Sequence, residues 1–258
     1  VSSSFVFLFV LFGSMLDKAG AGNYFIRVAF ALLGHMRGGP AKAAVLSSAM
    51  TGVISGSSIA NVVTTGTFTI PLMRKVGFTA EKAGSIEVAS SVNGQIMPPV
   101  MGAAAFLMVE YIGIPYTEVI KHAFIPAVIS YIALLYIVHL EAVKSNMKVI
   151  ARRNVIERPA VLRLLRIAII LSSVIILSGI VFYLFSFIKN VIPEHTLLAS
   201  CSIVTLVYIS LLKTASNYAP LATEQEIDEL PELAPTVKSG LHYLLPIVVL
   251  IWCLMVER

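Results

Sequence analysis

Serine and glycine residues in the middle of a long uncharged segment are the first candidates for chemistry in this sequence. The run SGSSIAN, Ser55–Asn61, lies within 31 uncharged residues bounded by Lys42 and Arg74. Its serine hydroxyls, and the backbone carbonyls that a glycine-broken helix leaves free, are oxygen ligands of the kind that hard cations prefer. Unwound carbonyls can bind Na⁺ without a fixed negative charge, whereas the N-terminus of a half-helix favours an anion. The run therefore predicts an ion-binding break that needs no acidic residue.

A second polar break has the sequence NGQIMPP and covers Asn93–Pro99. Its Asn-Gly-Gln part is expected to unwind, and the two prolines cannot donate a hydrogen bond to the preceding turn. Three carbonyls are then left available, those of Gly94, Ile96 and Met97. The two breaks are about 40 residues apart, so they could face each other and share one cation.

Both breaks also have a plainer interpretation. Small residues in membrane helices often serve only close packing between helices, and a proline pair can simply kink a helix. For Gly66, Gly84 and Gly102 we expect the packing role. Glu87 is either a buried functional carboxylate or a group near the cytoplasmic end that faces water, and we favour the second interpretation.

The composition is that of an integral membrane protein. Hydrophobic residues make up 57% of the 258 residues and charged residues only 13%, whereas a soluble domain carries roughly 25% charged residues. The apolar stretches are long and continuous, which is typical of membrane-spanning helices. The net charge of +5 comes without a basic patch interleaved with aromatic residues, so nucleic acid is not an expected partner.

The sequence carries no signature of an enzyme. It has no GxxxxGK[ST], HExxH or GxSxG motif, and no GxGxxG follows a predicted strand. We therefore expect no enzymatic activity, no cofactor and no ATP hydrolysis by this chain. Cys201 and Cys253 both lie in apolar segments and are expected to be packing residues rather than a disulfide or metal ligands.

The N-terminal part divides into short apolar segments. Phe5–Leu16 is followed by a predicted turn at Asp17–Asn23, and Tyr24–Met36 either spans obliquely or lies at the membrane interface. Two half-helices, Ala41–Ile54 and Ile59–Met73, flank the first break. Each is about 22 Å long at 1.5 Å per residue, which is too short for a hydrocarbon core of about 30 Å.

The second break interrupts a helix that begins with Ala80–Ser91 and is expected to resume at Val100–Ile112. A full span is predicted over Tyr116–Leu140. An acidic, proline-bearing loop is predicted at Thr214–Val237. Three further spans are predicted: Leu164–Phe187, Leu197–Leu212 and Leu241–Val256.

The basic residues set the expected orientation. Seven lysines and arginines fall within Lys144–Arg166, so this loop should be cytoplasmic, and tracing back through the spans puts Arg74 and Lys75 in the cytoplasm as well. Arg37 and Lys42, at the other end of the uncharged stretch, are also basic. A single span would put one basic cluster on the wrong face. The stretch should therefore enter the membrane and return as a re-entrant hairpin with SGSS at its tip.

Two stretches carry a family resemblance. The segment RGGPAKAAVLSSAMTGVISGSSIANVVTTGTFTIPLMRKVGF, followed by NGQIMPPVMGAAAF, resembles the large membrane subunit of TRAP transporters (tripartite ATP-independent periplasmic transporters). The most similar type is the fused permease, often paired with a TAXI-type binding protein. The resemblance covers Phe5–Glu141 and returns weakly at Glu229–Val256.

The resemblance implies an all-α integral membrane protein with an elevator-type fold. This would be a multi-span helical bundle with a re-entrant helical hairpin and a discontinuous helix, of which the chain holds the first repeat. Residues 1–142 would form that repeat, with the hairpin at 41–73, the broken helix at 80–112 and a span at 116–140.

The rest of the chain would have four parts. A basic cytoplasmic linker at 143–163 leads to an inserted two-helix unit at 164–212, for which no function is predicted, and a cytoplasmic acidic loop follows at 213–240. Residues 241–258 would begin the second repeat. The chain starts without Met inside an apolar run and ends just after one, so we expect the remainder of that repeat beyond Arg258.

The implied function is that of the membrane permease component of a Na⁺-coupled secondary transporter in the bacterial inner membrane. Such proteins take up small organic anions, typically carboxylates, that a periplasmic solute-binding protein delivers. They work with a small membrane subunit or a fused equivalent of it. Two rival interpretations remain open: a membrane scaffold that does not transport, and a channel-like pore.

The resemblance also implies roles for individual residues. One Na⁺ would be bound by Ser55, Ser57, Gly94 and Met97. Five further residues would lie nearer the substrate: Ser58, Asn61, Thr64, Thr65 and Pro98. Neither break contains an arginine that would clamp a carboxylate through two hydrogen bonds.

Overall fold

The computed structural model describes residues 2–147, 196–217 and 231–256. The regular structure in these ranges consists of ten α-helices and one 3₁₀ turn. The chain divides into two compact units, residues 1–152 with 215–258, and residues 153–214. The described part of the second unit belongs to helix α8, Thr196–Ser216. The predicted span Leu164–Phe187 lies outside the described residues.

The first unit holds the two breaks. Seven helices and the 3₁₀ turn come first, in the order α1 Ser2–Lys18, α2 Ala21–Leu33, α3 Gly39–Ser55, α4 Ser58–Lys75, α5 Ala80–Asn93, the turn Gly94–Ile96, α6 Ala103–Ile112 and α7 Tyr116–Lys144. Two helices near the end of the chain complete it, α9 Leu233–Ser239 and α10 Leu241–Val256.

Helices α3 and α4 form a hairpin. The residue before α3, Gly38, lies against the C-terminal end of α7, since a β-carbon on it would stand 2.5 Å from the β-carbon of Ala142. Met73, near the end of α4, belongs to the same buried apolar cluster as Ala142. Both outer ends of the pair thus meet the same part of α7. The chain turns back between α3 and α4, and the two half-helices expected from the sequence are the arms of this hairpin.

The second break is longer than expected. Helix α5 passes into the 3₁₀ turn, after which Met97 is extended with ψ 114°, and α6 begins only at Ala103. The prediction that the helix resumes at Val100 was wrong. A residue before a proline is forced out of the helical region, and Met101 has a φ of +50°, which no α-helix contains.

The distribution of polarity in the first unit is inverted relative to a water-soluble domain. Helix α7 exposes a continuous apolar face whose members are each more than half exposed: Phe124, Ile125, Ile129, Ile132 and Ile137. Polar side chains are instead buried where α3, α4 and α5 meet, among them Ser48, Thr65, Thr69 and Glu87. A large exposed apolar face indicates contact with another apolar phase or partner, as in a membrane protein.

Among the described residues, α7 is the helix that is both long and apolar enough to cross a bilayer. It contains the predicted span Tyr116–Leu140 and extends four residues beyond it. Helices α9 and α10 together form a second candidate, bent by 58° at the break between them.

Two predicted loops are more helical than expected. The turn expected at Asp17–Asn23 is confined to two residues between α1 and α2, and one of them, Gly20, has a φ of +102° that favours glycine. In the loop expected at 213–240, α8 continues to Ser216 and α9 forms a further helix. The proline of α9, Pro235, stands in the first turn, where its missing N–H group is not needed.

Candidate functional site

The tip of the hairpin is a two-residue turn. Gly56 has a φ of +57°, a left-handed conformation that favours glycine. Ser57 is extended and caps α4, since its Oγ accepts a hydrogen bond from the backbone N–H of Ala60 at 3.3 Å. The Oγ of Ser55 accepts from the N–H of Ser57 at 3.4 Å. A hydroxyl oxygen has two lone pairs, so each serine keeps acceptor capacity for another ligand.

The two breaks lie in direct contact. A β-carbon on Gly56 would stand 2.0 Å from the carbonyl oxygen of Met101, and a β-carbon on Gly52 would stand 2.6 Å from the Cα of Gly94. The Nε2 of Gln95 donates to the Oγ of Ser58 at 2.9 Å across the same junction. The structure therefore brings together the two segments that the sequence expected to face each other.

Helix ends with partial negative charge and helix ends with partial positive charge meet at this contact. The Gly52–Gly94 pair lies near the C-terminal ends of α3 and α5, which carry partial negative charge. The Gly56–Met101 pair lies at the starts of α4 and α6, whose N–H groups carry partial positive charge. Carbonyl oxygens suited to a cation thus stand beside amide groups suited to an anion.

Asn61 is buried at the junction and is 1% exposed. Its Nδ2 donates to the backbone carbonyl of Ser48 at 3.0 Å and would stand 3.1 Å from a β-carbon on Gly94. Because a carbonyl oxygen can only accept a hydrogen bond, the side-chain atom of Asn61 that faces Ser48 must be the amide nitrogen and not the amide oxygen. The other amide atom, Oδ1, has no hydrogen-bond partner in the described part of the chain, so it is a buried acceptor open to a ligand.

The other residues that the sequence assigned to the site are divided between several places. The side chain of Met97 packs against the core cluster that includes α3 and α7, and its N–H donates to the carbonyl of Gly94 at 3.2 Å. Pro98 is partly buried within the second break. The hydroxyl of Thr64 donates to Oδ2 of Asp17 at 3.2 Å and so faces α1.

Thr65 belongs to a separate polar cluster around Glu87, whose side chain is 0% exposed. Four hydroxyls contact its carboxyl group, those of Ser48, Thr65, Thr69 and Ser91. The distance is 2.5 Å between Thr69 Oγ1 and Oε2, and 3.4 Å from both serines to Oε1. The expectation that Glu87 faces water was wrong, because three helices enclose it.

Sequence reasoning weighed a buried role for Glu87 but did not find this cluster. The usable signal was the spacing of hydroxyls, since Thr65 and Thr69 lie four residues apart on one face of α4, and Ser91 lies four residues after Glu87. Ser48 comes from α3, and only the packing of the helices brings it close.

Two of the three glycines expected to serve packing do so. A β-carbon on Gly66 would lie 3.1 Å from the Cγ of Glu87, and one on Gly102 would lie 3.2 Å from the β-carbon of Gln95. For Gly84, nothing in the described residues lies within 4 Å of such a β-carbon.

The opposite end of the hairpin is joined to α7 by charged groups. Lys42, 4% exposed, has its Nζ 3.0 Å from the Nδ1 of His139. At the start of α5, Lys82 forms an ion pair with Glu141. These contacts hold the base of the hairpin and the start of the broken helix against one end of α7.

A helical hairpin with a glycine turn, a broken helix in contact with it, buried hydroxyls and an apolar exterior define a helical membrane protein of the permease class. Residues 1–222 match the sequence model of the family described as "Tripartite ATP-independent periplasmic transporter, DctM component". The chain belongs to this family, which confirms the resemblance. The fused-permease and TAXI-associated subtype stays a prediction.

Named relatives agree with the family. The chain is 29% identical over 174 residues to the C4-dicarboxylate TRAP transporter large permease protein DctM of Pseudomonas aeruginosa, covering 64% of this chain and 40% of the relative. It is 34% identical over 91 residues to the protein of the same name from Rhodobacter capsulatus, 35% of this chain and 21% of the relative. It is 30% identical over 95 residues to the ectoine TRAP transporter large permease protein TeaC of Halomonas elongata, 37% of this chain and 22% of the relative. Each of these matches covers 40% or less of the relative's length.

Proposed function

We propose that this chain is part of the permease of a Na⁺-coupled secondary transporter for small organic anions. The observation that carries the proposal is the backbone contact between the two breaks, Gly52 with Gly94 and Gly56 with Met101. Irregular backbone at membrane depth persists only inside protein or beside a water-filled cavity. In transporters, facing helix ends of this kind bind the coupling ion and the solute.

The proposed Na⁺ ligands are the oxygens of Ser55, Ser57, Gly94 and Met97. The carbonyl of Gly94 accepts the N–H of Met97 and keeps a second lone pair for an ion. Asn61 Oδ1 is a further candidate, because it is buried at the contact and has no hydrogen-bond partner among the described residues. Neutral oxygen donors of this kind suit a monovalent hard cation.

The proposed substrate is a small organic anion, most simply a carboxylate. Its negative charge would be stabilised at the N-terminal ends of α4 and α6, which begin at the two breaks. Ser58, Asn61 and Pro98 lie in or beside these breaks and suit a substrate-proximal role, whereas Thr64 and Thr65 hydrogen-bond to Asp17 and Glu87. The relatives' names include both a C4-dicarboxylate and ectoine, so the family accommodates more than one solute class.

The proposed setting is the bacterial inner membrane, where the chain would be multi-pass. A periplasmic solute-binding protein would deliver the substrate, and a small membrane subunit or its fused equivalent would complete the complex. The hairpin and the broken helix would move together, because the glycine contacts, the Ser58–Gln95 bond and the Glu87 cluster join them.

Solute uptake by the full-length transporter in proteoliposomes tests the Na⁺ site. Removing one ligand hydroxyl, in Ser55→Ala or Ser57→Ala, should raise the Na⁺ concentration for half-maximal uptake by about tenfold, since a hydrogen-bonding group contributes about 1 kcal/mol or more. Ser85→Ala, which removes an exposed hydroxyl from α5, is the matched control. An unchanged Na⁺ dependence in both tip variants would refute the assignment.

Cysteine labelling at the tip separates a transporter from its rivals. A single cysteine would replace Ser57 in a background from which Cys201 and Cys253 have been removed. We expect it to react from one side of the membrane at a time, with the side changing on addition of Na⁺ or substrate. Reaction from neither side would indicate a scaffold, and simultaneous reaction from both sides would indicate a pore.

A further inference from the structure

The Glu87 carboxyl group is buried, and its hydrogen-bond partners in the described part of the chain are hydroxyls. Ser48 comes from α3, Thr65 and Thr69 from α4, and Ser91 from α5 itself. These three helices pack on one another, and Gly66 on α4 lets the Glu87 side chain lie against the backbone. The carboxyl group therefore bridges both arms of the hairpin to the broken helix.

No basic side chain is in contact with this carboxyl group in the described part of the chain. Its hydrogen-bond partners are hydroxyls only. An ionised carboxylate without a cation is costly in an apolar interior, and such a group either acquires a partner or becomes neutral. Some positive charge must therefore reach Glu87 when the cluster is closed.

The hydrogen bonds of the two threonines are compatible with a neutral acid. Thr65 Oγ1 lies 2.8 Å from the carbonyl oxygen of Asn61, and Thr69 Oγ1 lies 3.0 Å from that of Thr65. A hydroxyl has one hydrogen, so a threonine that donates to its carbonyl must accept from Glu87. A protonated Oε2 supplies that hydrogen to Thr69, which donates to the carbonyl of Thr65, whereas Thr65 donates to Oε1 rather than to the carbonyl of Asn61. This arrangement supplies the carboxyl group with hydrogen bonds and requires no metal ion.

A metal ion is less suited to the cluster. The carboxyl oxygens already contact the hydroxyls at hydrogen-bond distance, so an ion could enter only if these groups moved apart. In the described residues there is also no group of three or more acidic, histidine or cysteine side chains that could hold a metal.

We propose that Glu87 is a proton-binding site, distinct from the proposed Na⁺ site, and that its proton fastens the hairpin to the broken helix. One proton from the aqueous phase binds Oε2 of the carboxylate and forms a neutral carboxylic acid, which donates to Thr69. When the proton leaves, the carboxylate remains buried without a counter-ion and the contact between the two elements weakens.

The surroundings of Glu87 contain few other groups that titrate. From α7, the Tyr131 hydroxyl donates to the carbonyl of Ser90 at 2.9 Å, beside the cluster. On each surrounding helix, the nearest charged or imidazole group is at least five residues along the chain from the residue that faces the cluster. These groups are Lys42 on α3, Arg74 on α4, Lys82 on α5 and His139 on α7. A pH effect that disappears with the Glu87 carboxyl group can therefore be assigned to it.

The test compares thermal unfolding of the full-length permease in detergent across pH for the wild type and Glu87→Gln, a neutral replacement of similar shape. If the folded state binds one more proton than the unfolded state, stability falls as pH rises, and the folding equilibrium constant changes by up to tenfold per pH unit. In the wild type this loss should begin above about pH 4.3, where glutamate in the unfolded chain releases its proton, and should continue until the folded protein releases it as well. Glu87→Gln should not show it. Glu118→Gln, at an exposed carboxylate on α7, should behave like the wild type.

Infrared difference spectroscopy provides a readout that does not depend on stability. The wild type should show the carbonyl band of a protonated carboxylic acid at neutral pH, and this band should be missing in Glu87→Gln. Thr69→Val should shift the band, because it removes the acceptor of the acid's hydrogen bond.

Three results would overturn the proposal. One is an identical pH dependence of stability in the wild type and Glu87→Gln, and another is the absence of a Glu87-dependent acid band. The third is stabilisation by added Na⁺ at alkaline pH that Glu87→Gln abolishes, which would make the cluster a metal-cation site. None of these readouts uses transport, so their failure is distinguishable from failure of the Na⁺ assignment at Ser55 and Ser57.

Discussion

The Cα of Gly94 lies 2.6 Å from the point where a β-carbon on Gly52 would stand, so the backbones of α3 and the second break touch without an intervening side chain. Neither residue can carry a larger group without moving the other's backbone. Asn61 closes the same contact, since its amide nitrogen would stand 3.1 Å from a β-carbon on Gly94. The position of one break is therefore set by the other.

Gly52→Ala should destabilise the permease because its methyl group would overlap the backbone of Gly94. Overpacking of a tight interface costs about 1–3 kcal/mol, which a thermal unfolding midpoint in detergent will detect. Gly84→Ala is the control, since no described atom lies within 4 Å of the added carbon. In mid-helix that change should be neutral or stabilise by about 0.5–1 kcal/mol. Equal effects of the two variants would contradict the backbone contact.

Thr65→Val should destabilise the protein because it keeps the shape of the side chain and removes a hydroxyl that contacts Glu87. A buried polar group that loses its partner costs about 1–3 kcal/mol. Thr67→Val on the same helix removes an exposed hydroxyl and should change stability by no more than about 0.5 kcal/mol. A Thr65→Val protein as stable as Thr67→Val would mean that the cluster is not formed.

His139→Ala should destabilise the base of the hairpin because it leaves the buried ammonium of Lys42 without its imidazole acceptor. We expect a loss of about 1–3 kcal/mol, and a smaller loss for Lys42→Met, which removes the charge as well. A double-mutant cycle should give a coupling energy above about 0.5 kcal/mol. His122→Ala, at an exposed position of α7, controls for histidine removal. Additive single effects would show that the pair does not interact.

Gln95→Leu should reduce uptake more than it reduces stability. The bond from Gln95 to Ser58 joins the two breaks at an exposed position, where substitutions usually change stability by no more than about 0.5 kcal/mol. Its loss should loosen the proposed ion site and lower the initial rate of solute uptake at limiting Na⁺. Ser58→Ala should have the same effect, and the double variant should be no worse than either single one. Independent, additive effects on uptake would argue against this link.

The hairpin could be read from the sequence because its signals are local. Glycine among serines breaks a helix wherever it occurs, and basic residues at both ends of the uncharged stretch leave little choice of topology. Both arms are present, and the turn falls at Gly56 and Ser57. The end of the second break was misplaced by three residues. Met101 has a left-handed φ of +50° and its carbonyl lies against Gly56, which is distant in the chain, so no local pattern indicates it.

The sequence alone determined the class of protein, the helical hairpin, the second break and the family, since composition, charge position and motif are properties of the chain itself. Only the tertiary structure decided the contacts of the polar residues that lie between the breaks and the base of the hairpin, Glu87 above all. Glu87 could face water or protein while it is considered on one helix, and it is buried because α3 and α4 bring three hydroxyls from outside its helix onto one carboxyl group. Burial of a charge depends on every neighbour in space, and these neighbours are up to 39 residues away in the chain.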